Sequence, residues 1–125
     1  MIGAVLQVAA GGALGAVARF LAVRGALAWF GPGFPWGTFI VNVLGGFVMG
    51  LLAVWLEARG LMRWAPFFLT GILGGFTTFS AFTIDAFLLW ERGAVGLAAV
   101  YVLGSVALSL AGLVLGVLLM RGMPA

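Results

Sequence analysis

The chain has 125 residues, 65% of them hydrophobic, and 21 glycines in addition. Nine side chains are charged, six Arg against three Asp or Glu, and there is no Lys, His or Cys. Soluble domains carry about 25% charged residues, and one of this size buries only about two-thirds of its unfolded surface. So large an apolar excess, with a mean hydropathy of +1.30, belongs in lipid.

The same composition excludes other classes. No run of basic residues exists to hold nucleic acid. Without Cys there is no disulfide, Fe–S cluster or thiolate site. Without His the commonest metal ligand and general base is missing. Three acids are too few for a hydrolytic metal centre, and an enzyme lacks its acid/base groups.

The first apolar segment covers about residues 2–29 and carries Gly11, Gly15, Arg19 and Arg24. No basic stretch precedes it, so it reads as a spanning helix, not a cleaved signal. The breaker-rich turn Gly31-Pro32-Gly33-Phe34-Pro35 follows. The second segment covers about residues 36–56 and is closed by Glu57, Arg59, Gly60 and Arg63. At 100° per residue, Thr38, Asn42, Gly45 and Met49 fall within an arc of about 60°. A polar group in lipid is costly unless it is paired or functional, so Asn42 either bonds a neighbouring helix or serves a site.

The third segment covers about residues 65–90 and holds Gly74-Gly75-Phe76-Thr77-Thr78-Phe79-Ser80-Ala81-Phe82-Thr83. Gly-Gly is a helix stop and Thr-Thr a helix start. Together they predict a helix broken near the bilayer midplane, where freed backbone groups need protein, water or an ion. Broken helices recur at ion sites, with carbonyls toward cations and helix N-termini toward anions. Phe79 and Phe82 follow at i and i+3 and offer positive ring edges to a small dehydrated anion. Asp85, one turn later, faces a watery vestibule or accepts a hydrogen bond. The fourth segment covers about residues 94–120, with Tyr101, Ser105 and Ser109 as a ladder of hydroxyls and Gly112 and Gly116 in the same arc.

Trp29, Trp36, Trp55, Trp64 and Trp90 all fall at segment ends, as an interfacial aromatic belt does. Residues 1–125 therefore form one four-helix transmembrane domain with both termini on the same side. Pairs of glycines four apart (Gly11 and Gly15, Gly46 and Gly50, Gly71 and Gly75, Gly112 and Gly116) suit close helix packing in lipid. Arg59, Arg63 and Arg121 lie on the side of the termini, and Arg24, Arg92 and at most Arg19 on the other. That balance gives no orientation by the positive-inside rule and predicts dual topology, with copies pairing antiparallel.

The stretch from Gly11 to Phe20, the stretch from Gly37 to Gly45, the Gly74–Phe82 block and the Tyr101, Ser105, Ser109 track together resemble the fluoride channels of the Fluc (CrcB) family, over nearly the whole chain. The resemblance implies an all-α, antiparallel, dual-topology homodimer in the cell membrane. It would pass fluoride through two pores around a central structural Na+. It assigns the Na+ to the backbone carbonyls of Gly74 and Thr77, an aromatic box to Phe79 and Phe82, and a donor to the ion to Asn42. Hydroxyls along the pathway would come from Ser80, Tyr101, Ser105 and Ser109, and Arg19 would stand at the aqueous vestibule. Ala81 and Asp85 replace the family's usual Thr and Glu. A small multidrug-resistance transporter is also a four-span chain but needs an acid in its first helix, and this chain has none there. A structural membrane subunit would need neither Asn42 nor the break.

Overall fold

The computed structural model describes residues 1–124. Four segments are long and apolar enough to cross a bilayer: 29, 23, 30 and 27 residues against the roughly 20 that a hydrocarbon core requires. They are α1 (Ile2–Phe30), α2 (Trp36–Ala58), a composite third span (Met62–Glu91) and, last, α5 (Val95–Arg121). The chain is a multi-pass, all-helical membrane protein. The spans agree with the sequence expectation to within about three residues.

The ends follow from local chemistry. Pro35 precedes the first residue of α2, and Gly60 and Gly93 adopt φ of 66° and 86° just past their helices. The residue after each glycine bonds back across the turn, Leu61 N to Leu56 O at 2.8 Å and Ala94 N to Leu89 O at 2.9 Å. This 6→1 bond with a left-handed glycine is the Schellman closure. Trp29, Trp36, Trp64 and Trp90 are exposed at the span ends, where an indole ring sits well between lipid and water.

The third span is the irregular one. A 3-10 turn (Met62–Trp64) leads into a π-helical segment (Pro66–Leu73), then one α turn, α3 (Gly74–Phe76). Thr77 is extended, with φ −87° and ψ 161°, and α4 (Ser80–Glu91) resumes three residues on. The break expected at Gly-Gly is therefore at residues 77–79, still central in the span. Both glycines stay helical, and the bare Cα of Gly75 is needed for packing against α1. A Cβ on Gly75 would lie 2.7 Å from the Gly12 carbonyl oxygen.

Glycines join the helices in two pairs. Gly11 and Gly15 of α1 meet Gly71, Ile72 and Phe76 of the third span, and Gly46 and Gly50 of α2 meet Ser109 and Leu113 of α5, with Gly112 and Gly116 returning the contact to Val43 and Phe47. Close backbone approach of this kind is how helices associate where lipid supplies no hydrophobic drive. Gln7 adds a polar tie, its Oε1 accepting from Phe67 N at 3.2 Å. Phe67 follows Pro66 at the start of the π segment, where backbone donors lack helical acceptors. Fully buried large side chains are few: Val41, Leu56 and Tyr101.

Gly50→Ala is expected to destabilise the protein by about 1–3 kcal/mol, as overpacking does, because its methyl would press on the Leu113 carbonyl and stand 2.9 Å from Val117 N. Gly25→Ala meets nothing within 4 Å and should be neutral or stabilising by less than about 1 kcal/mol. Thermal unfolding in detergent measures both. Equal midpoints would mean that α2 and α5 can separate without penalty.

Candidate functional site

The break opens onto a cleft of about 430 Å³ between α2, the third span and α5. Its walls carry Asn42 and Met49 from α2, Gly74, Thr77, Thr78, Phe79 and Phe82 from the third span, and Ser105 and Ser109 from α5. Of the face expected from Thr38, Asn42, Gly45 and Met49, the last three line this space and Thr38 does not.

Asn42 makes the break. Its Nδ2 donates to the Thr78 carbonyl at 2.9 Å, and its Oδ1 accepts from Thr78 N at 2.8 Å. In a continuous helix Thr78 N would bond the carbonyl of Gly74. Asn42 takes that donor away, and the helix cannot continue. Thr78 Oγ1 then accepts from Ala81 N at 3.2 Å and caps the first turn of α4. Thr77 turns both its N–H and its hydroxyl back to the Leu73 carbonyl, at 3.0 and 2.8 Å.

The carbonyls of the break fall into two groups. Gly75 O accepts from Arg19 Nε at 3.0 Å. Those of Gly74, Phe76 and Thr77 accept no hydrogen bond among the described residues. Carbonyl oxygens without donors are hard ligands of the sort a small cation takes.

The aromatic pair is split in its surroundings. The rings of Phe79 and Phe82 are 5.8 Å apart between centroids, yet Phe82 is 9% exposed and Phe79 77%. Phe82 is held from behind by the Tyr101 ring at 5.2 Å. Phe79 has no such backing and lies open on the face of the protomer. Ser105 is buried to 4% exposure, and its Oγ finds no hydrogen-bond partner among the described residues. An unpaired buried hydroxyl costs about 1–3 kcal/mol, and this one belongs to the wall of the cleft. The second Nδ2 hydrogen of Asn42 is also uncommitted, since a carboxamide has two donors and one goes to Thr78.

Residues 6–117 match the family described as CrcB-like protein, Camphor Resistance (CrcB). The chain belongs to the CrcB family. It is 61% identical over 122 residues to the "Fluoride-specific ion channel FluC" of Cereibacter sphaeroides strain ATCC 17029, a match covering 98% of each chain. Proteins of the same name from Paracoccus denitrificans and Phenylobacterium zucineum are 55% and 54% identical, over 94% of this chain and 94% and 95% of theirs.

In this CrcB chain the cleft gathers most of the residues singled out from sequence: Asn42, Gly74, Thr77, Phe79, Phe82, Ser105 and Ser109. Three are elsewhere. Ser80 is exposed beside the rim, its Oγ 3.5 Å from Thr78 Oγ1. Tyr101 is wholly buried behind Phe82 and donates its hydroxyl to Asp85 Oδ2 at 3.1 Å, so Asp85 accepts a hydrogen bond. Arg19 is half-buried at the level of the break, tied to Gly75, and does not line the cleft. Gln7 was not singled out beforehand, although it is the only Gln in the chain.

Asn42→Asp keeps an acceptor for Thr78 N but has no donor for the Thr78 carbonyl, and sets a carboxylate oxygen against it. The expected cost is at least about 1–3 kcal/mol, with faster hydrogen exchange of the Thr78 and Ala81 amides. Unchanged exchange at those amides would mean that the break holds without the clamp.

Proposed function

We propose that the chain is a passive fluoride channel whose working unit is an antiparallel pair of copies. The name shared by its relatives supports this reading, and so does the donor set of the cleft. The unpartnered Ser105 hydroxyl carries most weight, because it leaves a buried donor for an anion that has shed its water. The spare Asn42 hydrogen and the positive edges of Phe79 and Phe82 extend that set. Ser105, Asn42 and Phe82 are held in place before the ion arrives, and all of these groups are neutral, so they replace hydration without holding the ion too tightly to leave. A channel passes its ion without a chemical step, and the protein is not an enzyme. The pathway continues along α5 past Ser109 on one side and toward Tyr101 on the other, with Ser80 at the rim and Arg19 adding positive charge beside the break.

A second copy answers the exposure of the break. The free Gly74 and Thr77 carbonyls would otherwise lie in hydrocarbon, where each unsatisfied polar group costs several kcal/mol, and the exposed Phe79 ring lies beside them. The near-even division of Arg, three on the side of the termini against two on the other, lets a copy insert either way up. Antiparallel pairing brings two central breaks together, and the carbonyls of Gly74 and Thr77 from both copies would hold one Na+. Bound there, the ion supplies fixed positive charge, and the side chains around it do the selecting.

Reconstituted vesicles loaded with fluoride or chloride test the function. Fluoride should leave and chloride should not. Phe79→Ile and Phe82→Ile keep bulk and remove the positive ring edges, so flux should fall about tenfold, or about 1.4 kcal/mol on the crossing barrier. Undiminished flux in both variants would reduce the rings to packing. A crystal structure grown in sodium tests the assembly. It should contain antiparallel copies with density for one ion between the Gly74 and Thr77 carbonyls. Parallel copies, or carbonyls capped by protein donors, would overturn that arrangement.

A further inference from the structure

Aromatic side chains at the outer ends of the spans mostly face outward: Trp29, Phe30, Trp36 and Trp90 are exposed. Phe34, in the Gly31–Pro35 turn, goes the other way. It is half-buried, and its ring packs on the core formed by Phe82, Leu89, Ala98 and Tyr101. It meets the Tyr101 ring at 5.4 Å between centroids, with the planes at 90°. The backbone of the turn is tied down around it. Arg92 donates from Nη2 to the Gly33 carbonyl, and the Phe34 carbonyl accepts from Trp36 N at 2.8 Å. Tyr101 in turn meets Phe82 at 5.2 Å, and Phe82 meets Phe79 at 5.8 Å. Three ring contacts thus join the turn to the aromatic pair in the cleft wall.

We propose that Phe34 is a positioning residue for the Phe82 ring, acting through Tyr101. The inference rests on the channel reading above and gives Phe34 no contact with the ion. The reason is geometric. The Tyr101 hydroxyl bonds Asp85, but a phenol oxygen lies on the axis about which its own ring turns. That bond sets where the ring ends and leaves its tilt free. Rotation about this axis is broad for any aromatic side chain, so neighbouring rings must set it. Edge-to-face contact is an arrangement that the aromatic quadrupole favours, and Phe34 supplies it at a right angle. Phe82 packs on the same Tyr101 ring, so the tilt of Tyr101 decides where the Phe82 edge is aimed. A ring edge helps an anion only when it is aimed at it. Tyr101 is wholly buried, and in a close-packed interior a ring that loses one partner shifts against the next.

Efflux from fluoride-loaded vesicles tests the inference. Phe34→Leu keeps an apolar side chain and removes the ring. Efflux should fall about fivefold, within what one aromatic pair is worth. Phe34→Tyr keeps the ring and should stay within about twofold of wild type. The deciding measurement is a double-mutant cycle, because residues that act through one another are not additive. In a Phe82→Ile background no ring is left to aim. Phe34→Leu should then change efflux by less than about twofold, whereas independent effects would remove about another fivefold. Thermal unfolding in detergent checks that each variant is folded. If Phe34→Leu is not, Phe34→Met takes its place in the cycle. A loss of about fivefold in both backgrounds overturns the inference, since Phe34 would then act on the fold at large. Efflux that is indifferent to Phe34→Leu, or that falls as far with Phe34→Tyr, also overturns it. Wild-type vesicles that keep their fluoride would instead overturn the channel reading.

Discussion

Both backbone groups of Thr78 are bonded to one side chain, the Asn42 carboxamide, and the shape of the molecule depends on that exchange. Hydrocarbon offers a helix no alternative partner, so a transmembrane helix can open only where protein takes over its hydrogen bonds. Asn suits the task because it carries a donor and an acceptor side by side, matching a peptide group. The clamp closes the account for Thr78 and opens it for Gly74 and Thr77, whose carbonyls lose their helical partners. Arg19 takes the next carbonyl, that of Gly75. What stays free in the break is therefore set by two side chains from α1 and α2.

Glycine makes these side chains reachable. Asn42 and Arg19 sit on helices that pack against the third span through bare Cα atoms at Gly45, Gly11, Gly15 and Gly75. A Cβ on Gly45 would collide with the Thr77 side chain. The packing that holds the fold and the geometry that forms the cleft are thus one set of contacts, and a methyl added at these positions would move the site as well as loosen the bundle.

The spans were legible because lipid demands about 20 apolar residues and Trp marks their ends. The cleft was legible where period alone decides a face, as for Asn42, Gly45 and Met49, or for Ser105 and Ser109. The break was legible in kind, since Thr78 does cap α4, but not in position: Gly74 and Gly75 look like a stop, but the packing of Gly75 against α1 and the Asn42 clamp on Thr78 set the break at residues 77–79. Arg19 was harder still. A long side chain on a helix can reach a helix end or a neighbour, and only the distance between α1 and the third span decides which. The π-helical turns of Pro66–Leu73 have no residue signature at all; they arise where Gln7 and Gly11 of α1 fix the start of the span and Asn42 of α2 fixes its break.

That π segment has a consequence for how such a chain can vary in length. A π turn carries one residue more than the α turn it replaces, so Pro66–Leu73 holds slack between two fixed points. Removing a residue there lets the segment relax to α while what lies beyond keeps its face, because the wide turn had taken up the extra residue. A residue lost from the regular turns of α2 between Asn42 and Gly46, which packs on α5, would instead turn Asn42 by about 100° away from Thr78. A residue lost from the last turn of α5 turns nothing but the terminus. Length can therefore vary in the π segment and at the end of α5, and is fixed in the regular turns that aim Asn42, where a deletion would act as a rotation.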